Sequence, residues 1–174
     1  VFPSIVEARE RDFRLYYSRL KKLFDLMVLM AIAIALPISF SAGVIIRLLY
    51  GDGYNESANI LVIHVWTGLF VFLGVASSRW FIAEGLQTYT FYRTLAGCLV
   101  NVILNYFWIP LYGAAGAAWA SVIAQAVASV FFNAVNLKTR HIFYMQMSSI
   151  VRLGFFRGKN ENRRSISGSR QSTI

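Results

Sequence analysis

The chain has 174 residues, of which 57% are hydrophobic and 14% charged, and its formal net charge is +9. Soluble domains usually contain about 25% charged residues, so this composition indicates a membrane protein and argues against a soluble enzyme or a nucleic-acid-binding domain. Nearly all the basic residues lie at the two ends and in one short loop, which makes anionic phospholipid, and not nucleic acid, the expected partner.

The first predicted element is a basic amphipathic segment that covers residues 1–22 on the cytoplasmic side. Apolar side chains recur at Phe13, Tyr17, Leu20 and Phe24, with arginines around them. This spacing predicts a helix that lies on the inner leaflet and orients the span that follows it.

Residues 23–137 are predicted to form four transmembrane helices, in an all-α polytopic membrane protein. The expected spans are about 23–49, with Pro37 inside it, and about 57–78, 91–109 and 114–135. The last two come from a run of 44 residues, 94–137, that contains no charged side chain and is interrupted at 110–113. As one helix this run would measure about 66 Å, roughly twice the hydrocarbon thickness of a bilayer. We therefore expect two helices joined by a short turn.

The distribution of lysine and arginine predicts that both termini are cytoplasmic. Residues 1–22 contain six basic residues, the turn at 50–56 none, residues 79–93 two, the turn at 110–113 none, and residues 138–174 eight. Four spans fit this alternation under the positive-inside rule. The segment 138–174 is expected to be a basic cytoplasmic tail, disordered from about residue 158, with residues 141–156 on the membrane surface.

Polar residues recur inside the last two spans at helical spacing. Arg93, Gly97, Asn101 and Asn105 share one face of the third span, and Gln125 lies in a similar row of small and polar residues on the fourth. Close helix packing with interhelical hydrogen bonds explains such rows, and so does a hydrated pathway for a polar passenger.

Charged residues beside the third span also allow two interpretations. Arg79 and Arg93 either reach lipid phosphates at the cytoplasmic interface or project into the bundle and bind an anionic group. Glu84 is a possible ion-pair partner of either arginine.

The stretch from Asn101 to Ser121, with Ile-Pro-Leu-Tyr-Gly-Ala-Ala-Gly-Ala-Ala at its centre, resembles the carboxy-terminal half of bacterial polysaccharide flippases. These are the O-antigen and exopolysaccharide exporters of the multidrug/oligosaccharidyl-lipid/polysaccharide exporter superfamily. Leu48-Leu49-Tyr50-Gly51 and Ala83-Glu84-Gly85 add to the likeness. The resemblance implies that the chain is a fragment whose four helices belong to a larger flippase-type bundle, together with the remaining helices of a full-length transporter.

The resemblance also implies a function for the polar residues. Such proteins move undecaprenyl-diphosphate-linked oligosaccharide across the bacterial inner membrane by alternating access, for polysaccharide biosynthesis. In that role Arg79 and Arg93 would attract the diphosphate. Asn101, Asn105 and Gln125 would contact the sugar or bridge helices.

Two other functions stay open at this stage. One is a drug/cation antiporter of the same superfamily, and the other is a four-span membrane scaffold protein. An enzyme is not expected, because no nucleophile, base and orienting group come together in the sequence. No cofactor or metal is expected either, since Cys98 is the single cysteine and the two histidines share no ligand set.

Overall fold

The computed structural model describes residues 13–152, which are almost entirely helical and contain no strand. The first seven helical segments of this part of the chain end at residue 135. They are α1 (Phe13–Tyr50), a 3-10 turn (Asp52–Tyr54), α2 (Asn55–Val65), α3 (Thr67–Ala83), α4 (Gln87–Ala126), a π-helical segment (Val127–Phe131) and α5 (Phe132–Val135). After a turn at 136–139 the chain is helical again over residues 140–152, here called α6.

Three helical stretches among the described residues are long and apolar enough to cross a membrane: Arg14–Tyr50, Asp52–Ala83 and Gln87–Val135. The second stretch joins α2 to α3, because Trp66 between them keeps helical dihedrals, with φ −69° and ψ −17°. The prediction of an all-α chain with helices compatible with membrane spans is confirmed at this level.

The helix α1 is one continuous element of 38 residues, about 57 Å long at 1.5 Å per residue. It runs through Pro37, whose carbonyl accepts a hydrogen bond from the Ser41 hydroxyl at 2.6 Å. Residues 1–12 of the predicted surface segment lie outside the described part of the chain. Residues 13–22 of that segment form the start of α1. There Leu20 and Phe24 are buried inside the protein. Neighbouring helices cover these two side chains, and the location of residues 1–22 on the inner leaflet stays a prediction.

The long helix α4 doubles back on itself at Gly113. This glycine has φ 57° and ψ −137°, a conformation that other residues rarely adopt. A Cβ atom built on Gly116 would lie 2.5 Å from the carbonyl oxygen of Trp108, although eight residues of straight helix span about 12 Å. The reversal predicted at 110–113 therefore occurs at a single residue, Gly113. It separates an N-terminal limb, 87–112, from a C-terminal limb that begins at 114.

The two limbs pack closely because small residues face each other. A Cβ atom on Gly97 would approach the Cβ of Ala128 to 2.7 Å and the carbonyl oxygen of Ala124 to 3.1 Å. Only a residue without a side chain fits this approach. Part of the predicted row of small residues therefore serves helix packing.

The apolar core lies at one end of the bundle, where the beginning of α1, the end of α3 and α6 meet. Its fully buried members include Phe24 and Leu20 from α1, Leu73 and Phe81 from α3, and Ile142 from α6. Residues 140–152, in the first part of the predicted tail, form a helix that packs into the core. The location of residues 141–156 on the membrane surface stays a prediction. The residues beyond 152, including the predicted disordered stretch, lie outside the described part.

Candidate functional site

A cleft of about 500 Å³ lies between α3 and the two limbs of α4. Its walls carry hydroxyl, amide and guanidinium groups, and none of the residues that line it is Asp or Glu. The polar lining comes from Thr67 and Ser78 on α3, from Arg93, Thr94 and Asn101 on the N-terminal limb, and from Ser121, Gln125 and Ser129 across from them. The two polar rows that the sequence places on separate helices thus face one space.

The guanidinium of Arg93 crosses from α4 to α3 and is buried, with 6% of the residue exposed. Its Nη1 donates to the Ser77 hydroxyl at 2.6 Å, and its Nη2 donates to the Gly74 carbonyl at 2.8 Å and the Ser78 hydroxyl at 2.6 Å. The cation also lies 5.2 Å from the centre of the Phe81 ring. All these partners are neutral, and no carboxylate in the described part of the chain pairs with Arg93.

A buried cation without a counter-ion is costly, because burial removes the hydration that stabilises the charge. Hydroxyl and carbonyl oxygens replace part of that hydration around Arg93 but supply no negative charge. The guanidinium has five N–H groups, and these three hydrogen bonds leave two for another acceptor. The site is therefore suited to an anion that enters the cleft.

The amide residues of the cleft are partly tied to their own helices. Gln125 donates from Nε2 to the Ser129 hydroxyl at 2.9 Å, and Asn105 donates to the Asn101 carboxamide oxygen at 2.9 Å. Asn101 and Gln125 nevertheless line the cleft. A neutral amide offers both a donor and an acceptor, so these two side chains can bind a hydroxyl-rich molecule.

Three of the six predicted site residues meet at the cleft, namely Arg93, Asn101 and Gln125. Asn105 does not line it and instead bonds to Asn101 from the neighbouring turn. Arg79 is exposed on α3 and also lies outside the lining. Glu84 accepts a hydrogen bond from the Tyr16 hydroxyl at 2.8 Å. No ion pair joins Glu84 to Arg93 among the described residues.

The sequence reasoning missed the α3 wall. Among the described residues, the acceptors of the Arg93 guanidinium are all supplied by Gly74, Ser77 and Ser78. Their spacing of three and four residues places them on one helical face, which is the signal that could have identified them. This spacing is difficult to recognise in the sequence, because the residues around these three are mostly apolar.

A second polar cluster, missed for the same reason, surrounds the fully buried side chain of Gln146 on α6. Its Nε2 donates to the carbonyl oxygens of Ser129 at 3.0 Å and Leu73 at 3.3 Å. Its Oε1 accepts from Asn133 Nδ2 at 3.1 Å, and Asn133 also donates to the Ser129 carbonyl at 2.9 Å. We call these four residues the Gln146 node. It adjoins the π-helical segment, a departure from regular helix that is frequent at functional sites.

The imidazole of His141, on α6, packs edge-on against Trp80 and Tyr17, with ring centres 4.8 and 5.7 Å apart. Burial lowers its pKa below the ordinary value near 6.5, while the charge of Glu84 and a hydrogen bond with the Lys138 backbone oppose that shift. The Nε2 atom is buried without a hydrogen-bond partner in the described residues. His141 is therefore held mainly as a neutral ring in the apolar end of the bundle.

The fold and the cleft together define a helical protein with segments compatible with membrane spans and an internal polar space. No protein-family model, curated protein or solved structure matches the chain.

Proposed function

We propose that the chain forms part of a bacterial polysaccharide flippase, which moves undecaprenyl-diphosphate-linked oligosaccharide across the inner membrane by alternating access. The observation that carries this proposal is the cleft in which a buried, carboxylate-free Arg93 lies beside the neutral amides Asn101 and Gln125. The motif around 101–121 supports the same family from the sequence side.

The chemistry of the cleft fits a cargo with a phosphate at one end and sugar at the other. A guanidinium binds phosphate oxygens with paired, charge-assisted hydrogen bonds, and Arg93 has two N–H groups left for them. The amides and the hydroxyls of Thr67 and Ser121 would then contact sugar hydroxyls. Because no carboxylate lines the cleft, the arrangement favours an anionic passenger over the cation of a drug/cation antiporter.

The topology that we propose has four spans with both termini cytoplasmic. The third apolar stretch, Gln87–Val135, folds back at Gly113, and its limbs 87–112 and 114–135 are each longer than the ~30 Å hydrocarbon core at 1.5 Å per residue. Each limb would cross the membrane separately. The basic ends would then face the anionic phospholipids of the inner leaflet, and the exposed outer faces would contact the remaining helices of the transporter.

The test is export of surface polysaccharide by a flippase-deficient bacterium that expresses the full-length protein. We expect Arg93→Gln to reduce export at least tenfold at an unchanged protein level, because the anion loses its only cationic partner in the described cleft. Arg93→Lys should retain part of the activity. A matched control is Arg47→Gln, which removes an exposed arginine paired with Asp52 on the surface.

The same variants separate a cargo role from a structural one. If Arg93 serves the cargo, Arg93→Gln should keep or raise the thermal stability of the purified protein, because a buried unpaired charge is removed. Export that is unchanged in Arg93→Gln at equal protein level would overturn the proposal. Equal loss of export in Arg47→Gln would show that the cleft is not the cause.

A further inference from the structure

The Gln146 node joins the two walls of the cleft, because Gln146 donates hydrogen bonds both to Leu73 on α3 and to Ser129, which follows the C-terminal limb of α4. We infer that Gln146 is a positioning residue that fixes the separation of α3 from the C-terminal limb of α4, so that α6 is a working part of the cleft and not a tail. The consequence for transport rests on the proposed function. The positioning itself does not.

The first link runs from Gln146 to Arg93 through α3. Gln146 Nε2 donates to the Leu73 carbonyl, which the Ser77 hydroxyl also approaches as a donor at 2.9 Å. The same Ser77 oxygen accepts the Arg93 Nη1 hydrogen bond. Three hydrogen bonds therefore connect the α6 side chain to the guanidinium, and a shift of Leu73 would also move the groups that hold Arg93.

The second link runs from Gln146 to Gln125 through the π-helical segment. The Ser129 carbonyl accepts from both Gln146 and Asn133, and the Ser129 hydroxyl accepts from Gln125 in the cleft wall. The backbone carbonyl of Ser129 thus belongs to the Gln146 node, while its hydroxyl bonds to Gln125 in the lining of the cleft. Both cleft walls are tied to the same amide.

Burial makes this link stiff. Gln146 and Asn133 are fully buried, and Ser129 nearly so. Any separation of the walls would take the buried Gln146 carboxamide away from one or both of the carbonyls to which it donates, and an unpaired buried amide is unfavourable. The node should therefore hold the cleft at one width, and its loss should let the walls part.

Cys98 provides a probe of that width, because it lines the cleft, is an exposed residue, and is the single cysteine of the chain. The experiment compares the labelling rates of Cys98 by a bulky maleimide and by a small methanethiosulfonate, in detergent and without cargo. Any cysteines elsewhere in the full-length protein are replaced by serine. The ratio of the two rates rises when the cleft widens, and it is insensitive to protein yield.

We expect Gln146→Met to raise this ratio roughly five- to thirtyfold, since methionine makes none of the three hydrogen bonds of Gln146 and a net loss of about 1–2 kcal/mol shifts an equilibrium by that factor. Ser148→Ala is the matched control, because within residues 13–152 the Ser148 hydroxyl donates to the Met145 carbonyl of its own helix and to no other group. Its ratio should equal that of the wild type. A ratio in Gln146→Met that equals the control, even with lowered thermal stability, would overturn the inference and leave Gln146 as an anchor only.

Gln146→Glu is a second variant for the same labelling measurement if the methionine variant does not fold. The carboxylate retains the length of the side chain and an acceptor for Asn133, but it cannot donate to the Leu73 and Ser129 carbonyls. Its labelling ratio should rise as well, and an unchanged ratio would contradict the inference. A raised ratio together with normal export in Arg93→Gln would support the positioning role while the flippase proposal fails.

Discussion

The two ends of the helical bundle differ in how they use buried space. At the core end, Phe24, Leu73, Phe81 and Ile142 are completely or almost completely buried against one another. A short distance along the same helices, the cleft leaves about 500 Å³ open beside the buried charge of Arg93. The core end therefore supplies close apolar packing, while the cleft contains a buried cation whose hydrogen-bond partners in the described residues are all neutral.

The core end should be the most sensitive region of the protein. We expect Phe24→Ala to lower the free energy of unfolding by about 3–5 kcal/mol, because it leaves a cavity among buried side chains. Phe40→Ala on the same helix is the control, since Phe40 is 89% exposed, and it should change stability little. Thermal unfolding in detergent measures both. Equal effects of the two substitutions would remove the distinction between core and periphery.

The contact between the limbs of α4 should come second. Gly97→Val places a side chain where even a Cβ meets Ala128 at 2.7 Å, so we expect a loss of about 1–3 kcal/mol from overpacking. Gly68→Ala on α3 is the control, because no atom lies within 4 Å of its Cβ position and alanine favours helix. It should leave stability the same or slightly higher. A neutral Gly97→Val would contradict the packed hairpin.

The smallest expected effect is the pH dependence contributed by His141. Its pKa is lowered in the folded state, so the unfolded chain binds a proton more readily as the pH falls below about 6.5. The stability that neutral His141 contributes is therefore complete above that value and decreases as the pH falls through it. His141→Phe keeps the ring contacts with Trp80 and Tyr17. It should make the free energy of unfolding depend less on pH between about 7.5 and 5.5. If the free energy of unfolding changes with pH equally in the variant and the wild type, the pH dependence comes from another group.

The sequence identified residues whose position follows from helical spacing alone. Arg93, Asn101 and Gln125 could be predicted because a four-residue period fixes the face on which each side chain lies. The turn before the last span could be located for a similar reason, since Gly113 follows a proline in an uncharged run.

Residues whose role depends on packing between distant helices could not be found in this way. Ser77 and Gly74 matter because α3 lies against Arg93, and Gln146 matters because α6 reaches back 73 residues along the chain to Leu73. The basic composition after residue 137 indicated a tail, while the buried face of α6 is determined by Ile142, Gln146 and its neighbours. Local composition carries no information about such contacts.

Binding of a cargo in the cleft can be measured by whether an isoprenyl diphosphate-linked sugar protects Cys98 from maleimide in the purified full-length protein. The cargo should slow labelling of the wild type, because it would fill the cleft that Cys98 lines beside Arg93. Protection should be lost in Arg93→Gln and remain in Arg47→Gln. Equal protection of the wild type and Arg93→Gln, or none in either, would contradict the account of the cleft as an anion-directed cargo site.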